Sequence, residues 1–166
     1  MTPSELLERI LPSFEQYYAV KREDVAPPFD AEAYFSAKDI QTAVFRNVKI
    51  SEADSGEYIF FACVPSLSAD EAKRLDETAW TEGISRVQPG PTHRNTDICL
   101  FLIAETVEPD AFDYVKKLRR HKSYKHMFEG WSNYRAIVVE SSSGHTATNR
   151  LGRGLEKLFD NIGFIV

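Results

Sequence analysis

Arg135, Asn149, Arg150, Gly152 and Arg153 crowd into one short stretch near the end of the chain, and Lys122 lies just upstream. Arginine holds phosphate and carboxylate oxygens through a planar fork of N–H donors. Asn149 is a natural helix cap, and a helix start offers unpaired backbone N–H groups and the positive end of the dipole. Glycine disfavours a helix by about 1 kcal/mol relative to alanine. Gly152 and Gly154, so close to a helix start, therefore need a reason. Close approach of an anion to the backbone is one reason, and tight packing against a sheet is the other. The stretch is neither a Walker A loop nor a Gly-x-Gly-x-x-Gly turn, and no strand of Rossmann type precedes it. Its residue types suit holding an anion.

Charge is unevenly spread around this stretch. The net charge is −5, but residues 1–90 hold nine cations against 16 anions, and residues 91–166 hold 11 against nine. Lys116, Lys117, Arg119, Arg120, Lys122 and Lys125 follow one another with no acid between Asp113 and Glu129. A local basic surface on an acidic protein is the expectation. It suits an anionic small molecule or a nucleic acid, whose bases would stack on the interleaved Tyr124 and Phe128. His93, His121, His126 and His145 show no metal-ligand spacing, and Cys63 and Cys99 sit in the apolar runs FFACV and DICLFLIA as free thiols. There is no Gly-x-Ser-x-Gly elbow. No cofactor and no metal are expected. No apolar run approaches the ~20 residues of a membrane span, and the acidic N-terminus does not read as a signal peptide. The expectation is a cytoplasmic protein with no membrane contact.

The elements that must position these residues follow from periodicity. Thr2, Pro3 and Glu5 form a capping box before a stripe of Leu6, Leu7, Ile10, Leu11 and Phe14, which Pro12 interrupts. Strands are expected at 31–38, 42–50 and 57–64, the last continuously apolar and so covered on both faces. Ser68 with Glu71 caps a second helix, and 97–106 is a further buried strand. A third helix starts at Glu108-Pro109-Asp110, with acids at its positive end and cations at its negative end. Residues 134–140 and 145–148 form a hairpin around Ser141–Gly144, and Asn149 caps a closing helix. The order is α-β-β-β-α-β-α-β-β-α over one globular domain of 1–166. This implies an α+β fold, a mixed β-sheet packed with helices.

Two resemblances bear on function. Glu57-Tyr58, strand 98–104, Gly130-Trp131, Arg135 and Asn149-Arg150-x-Gly152 resemble a small family of uncharacterised bacterial domain proteins over residues 30–160, most strongly after 93. That resemblance implies no activity. The α-β-β-β-α-β order resembles the restriction-endonuclease-like nucleases, which hold a metal with an aspartate and a Glu-x-Lys pair. Asp39, Glu57 and Lys49 are the nearest matches, but Ile59 stands where the lysine belongs, and Asn47-Val48-Lys49 lacks the acid. The reading is therefore a non-catalytic binding domain with a basic, anion-accepting surface near the last helix start. A degenerate or metal-dependent phosphodiester hydrolase is the alternative. A homodimer through the apolar C-terminus, Gly163–Val166, is a further expectation.

Overall fold

Thr2 starts the first helix as its sequence dictates. Its Oγ1 accepts the Glu5 N–H at 3.2 Å, and the Glu5 carboxylate accepts the Thr2 N–H at 2.8 Å. Helix α1 runs Pro3–Ile10 and buries Leu6, Leu7 and Ile10, and Pro12 turns the chain into a 3₁₀ turn at Leu11–Ser13. The computed structural model describes residues 1–36 and 54–164. The expected strand 42–50 lies outside the described residues, as do Asp39 and Lys49.

Strands β1 (Ala19–Lys21), β2 (Ala31–Ser36) and β3 (Asp54–Leu67) lead into α2 (Ala69–Arg86). Ser68 caps α2 by accepting the Glu71 N–H at 3.2 Å, but the Glu71 carboxylate pairs with Arg74 and the expected box is half formed. Then come β4 (His93–Val107), α3 (Pro109–Lys116), β5 (His121–Ser123), β6 (Trp131–Glu140) and β7 (Thr146–Thr148). A 3₁₀-helix at Arg150–Glu156 and α4 (Lys157–Asn161) follow. The fold is the expected α+β arrangement of a mixed sheet and helices. Short strands β1 and β5 occupy stretches with no clear period. The last helix begins as 3₁₀ because Gly152 and Gly154 give the first turns little α-helical preference.

Among the described residues the strands form one seven-stranded sheet in the order β1-β2-β3-β4-β6-β5, with β7 also on β6. The inner pairs β3–β4 and β4–β6 are parallel, and the outer pairs are antiparallel. Side chains alternate between two faces. One face carries Phe60, Leu100 and Tyr134 under α2 and α3. The other carries Phe61, Phe101 and Ile137 under α1 and the C-terminal Leu155 and Phe159. From Ile98 to Ala104 no residue of β4 is more than 1% exposed, which is why that run is apolar without alternation. Each large side chain so buried contributes roughly 1.5–3 kcal/mol. Cys99 is fully buried. Cys63 is only partly covered, against expectation. Its thiol donates to the Pro3 carbonyl at 3.6 Å, and burial pushes it up to about 12.

Candidate functional site

The outer edge of β6 is where the chain's chemistry gathers. β5 pairs with it at Trp131–Asn133 and β7 at Ile137–Val139, leaving a gap around Tyr134–Ala136. The Asn149 side chain fills that gap. Its amide donates to the Tyr134 carbonyl at 2.9 Å and accepts the Ala136 N–H at 3.0 Å, as a peptide of a neighbouring strand would. It also donates to the Leu118 carbonyl at 3.2 Å and accepts the Gly152 N–H at 3.0 Å. All four of its hydrogen-bonding positions are used. The Gly152 N–H is therefore not open to a ligand. A Cβ on Gly152 would stand 2.6 Å from the Ala136 carbonyl oxygen, so this glycine answers to close packing against β6.

Beside Asn149 lies a cleft of about 340 Å³. Leu118 and Leu151 make its apolar part over the fully buried Tyr134, and Arg119, Arg120, His121 and Arg150 line it with basic side chains. Leu118 is buried under the end of α3, and this turns Arg119–His121 onto the β6 edge. Arg120 is largely committed elsewhere. Its Nε and Nη2 donate to Asp76 at 2.9 and 2.8 Å, and the Tyr114 hydroxyl donates to the same carboxylate at 2.7 Å. Asp76 is fully buried on α2. Hydrogen bonding to it raises Arg120 further above its ordinary value. Burial, reinforced by Asp76, raises the hydroxyls of Tyr114 and Tyr134. Arg119 and Arg150 are exposed, and no carboxylate pairs with either among the described residues. His121 Nδ1 lies 2.8 Å from Asn133 Oδ1. In the tautomer whose Nδ1 donates to that oxygen, the lone pair is on Nε2.

A second polar group lies on the sheet face that α1 covers. Register places Phe35 opposite Glu57, Glu57 opposite Asp97, and Asn133 opposite His121. Glu57 is ion-paired with Arg135 and accepts the Tyr18 hydroxyl at 2.7 Å. Arg135 Nε has no acceptor among the described residues. Burial lowers Arg135 from its ordinary value, though a guanidinium stays charged at any physiological pH. Asp97 accepts the Asn133 N–H at 3.3 Å and the Asn95 amide at 3.4 Å, both long. Burial outweighs them and raises its carboxyl.

The residues singled out by sequence thus separate. Asn149 and Arg150 line the cleft, and Arg135 does not, since Glu57 holds it on the sheet face. Gly152 is buried, Arg153 is exposed outside the cleft, and the Lys122 ammonium sits 5.6 Å from the centre of the Tyr124 ring. Tyr124 is itself buried, with its hydroxyl 2.9 Å from Ser132 Oγ, so it presents no stacking face. Both nitrogens of the buried His93 are engaged, with the Glu129 carbonyl and with Thr96 Oγ1. Arg119, His121 and Asn133 gain their importance only from the structure. Asp76 had a readable signal, an acid among Ala72, Leu75 and Ala79 on the buried stripe of its helix. Among the described residues no group of three or more His, Cys, Asp or Glu is placed to hold a metal ion. None of the described helices is long and apolar enough to cross a membrane.

The model of a family described as "Domain of unknown function (DUF8052)" matches residues 2–161. No curated protein and no solved structure matches the chain.

Proposed function

The chain belongs to that family of domains of unknown function, and we propose from its site geometry that it is a non-catalytic binding domain that takes a small anion in the β6-edge cleft. The observation that carries this reading is convergence. The basic segment after α3 and the turn after β7, far apart in sequence, bring Arg119, His121 and Arg150 to one concavity. Arg119 and Arg150 have no carboxylate partners among the described residues, which leaves their donors for a ligand. Phosphate and carboxylate oxygens match guanidinium forks. A concave site suits a compact anion better than an extended nucleic-acid strand, since of the two aromatics in the basic run Tyr124 is buried and Phe128, 84% exposed, does not line the cleft. The Glu57 carboxylate, which the hydrolase alternative needs as a metal ligand, is already neutralised by Arg135.

Thermal denaturation with a panel of phosphate, pyrophosphate, sulfate and citrate tests this. A ligand at about 100 times its Kd stabilises by about 2.7 kcal/mol, or roughly 5–10 °C in Tm for a chain of this size. The expected result is such a rise for at least one anion. It is lost in the Arg119→Ala/Arg150→Ala double variant, whose Tm without anion is unchanged. No rise with any anion, or a full rise in the double variant, overturns the reading.

A further inference from the structure

We infer that the occupant of this cleft is a ring-bearing phosphate ester of about mononucleotide size, with a ring N–H or O–H donor, and not a bare inorganic anion. The inference rests on the anion-binding reading above and adds the chemical class of the ligand. Size is the first argument. The cleft holds about 340 Å³, at the lower end of the ~300–1,000 Å³ typical of small-molecule sites. An inorganic phosphate reaching Arg119 and Arg150 would leave most of it to water.

Surface character is the second argument. Leu118, 8% exposed, gives the cleft a small apolar floor over the fully buried Tyr134, whereas Leu151 stands 51% exposed at its margin beside Arg150. A lone exposed leucine means little. One that continues an apolar floor between two unpaired arginines makes a wall against which a flat ring loses water, while its phosphate meets the guanidinium groups. Arginine also stacks on ring faces, which lysine does not do as well.

The third argument is the donor and acceptor inventory. Among the described residues no carboxylate lines the cleft. Arg119 and Arg150 only donate, as does the Arg120 Nη1 that Asp76 leaves unused. Both amide functions of Asn149 are consumed inside the protein. In the tautomer whose Nδ1 donates to Asn133 Oδ1, His121 Nε2 is an acceptor in the cleft. A site with several donors and one oriented acceptor matches a ligand with an anionic group and a single well-placed donor. Inorganic phosphate lacks the apolar body. A free nucleoside lacks the anion.

Isothermal titration of the full chain with inorganic phosphate, guanosine, and the four ribonucleoside 5′-monophosphates tests this, on wild type, Leu151→Ser and His121→Phe. Leu151 and His121 are exposed, so both variants keep the fold, which circular dichroism checks. At least one monophosphate is expected to bind tenfold or more tighter than phosphate. Leu151→Ser should bring it to within about threefold of phosphate and leave phosphate affinity unchanged, and His121→Phe should weaken the monophosphate at least threefold. Equal affinity of phosphate and all four monophosphates overturns this inference and leaves the anion reading standing. An unchanged preference in both variants overturns it too. Binding of neither overturns this inference, as does guanosine binding as tightly as its monophosphate.

Discussion

Two arginine–carboxylate–tyrosine groups sit on opposite faces of the sheet, and they are built to different standards. Asp76, on α2, receives a two-pronged fork from Arg120 and the hydroxyl of Tyr114, while its backbone carbonyl accepts the Tyr134 hydroxyl at 3.4 Å. Glu57, on β3, receives the Tyr18 hydroxyl and an ion pair from Arg135, whose Nε has no acceptor among the described residues. The charges are the same and the wrapping differs. A fully satisfied buried network fixes one geometry, whereas a partly satisfied one is where a fold is loosest. The Asp76 group locks α2, α3 and the segment entering β5. The Glu57 group lies beside a second carboxyl, Asp97, whose hydrogen bonds among the described residues are both long.

Asp76→Asn breaks the tighter group. It keeps the shape but leaves Arg120 without a counter-charge in a site where Asp76 is fully buried. A loss of about 3–5 kcal/mol is expected, read as a fall in urea midpoint with unchanged slope. Glu57→Gln tests the looser group. Arg135 and Arg120 are about equally exposed, 30% and 27%, but Glu57 holds no two-pronged fork as Asp76 does, so the expected loss is smaller, about 1–2 kcal/mol. Equal losses in the two variants would erase the distinction drawn between them. Asp97→Asn has the smallest effect and the opposite sign. The raised carboxyl is less favourable charged in the fold than in the unfolded chain, so wild-type stability falls as pH rises from the ordinary carboxylate range through the folded value. The variant should therefore be more stable than wild type at pH 7, by under about 1 kcal/mol, and no more stable below pH ~3. A constant difference across pH would mean that the carboxyl's charge is not the cause.

Much of the architecture was legible because local rules decide it. The Thr2–Glu5 box, the break at Pro12, the apolar runs of β3 and β4 and the charge gradient along α3 all follow from neighbours a few residues apart. The polar partnerships were not legible. Asp76 and Arg120 are 44 positions apart, and only the strand order brings β6 beside β4. Asn149 could be read as a cap, and it does accept the Gly152 N–H. Nothing in the sequence says that the same amide also substitutes for a missing stretch of strand. That second role requires β5 and β7 to stop short of each other. The basic run read as one surface, but burial of Leu118 and Tyr124 divides it, sending Arg119 and His121 to the cleft and Lys122 elsewhere.

The Asn149 amide also bears on how the protein keeps to itself. An open strand edge is a template on which another chain can add, and folded proteins guard such edges against aggregation. β6 is long, apolar and at the flank of the sheet, so it is the strand most in need of a guard. β5 shields its beginning, the asparagine its middle and β7 its end. On the far flank, among the described residues, the sheet runs out in β1, which at three residues is too short to seed much. One side chain, placed where two short strands fail to meet, leaves the middle of that flank with little to offer an incoming strand.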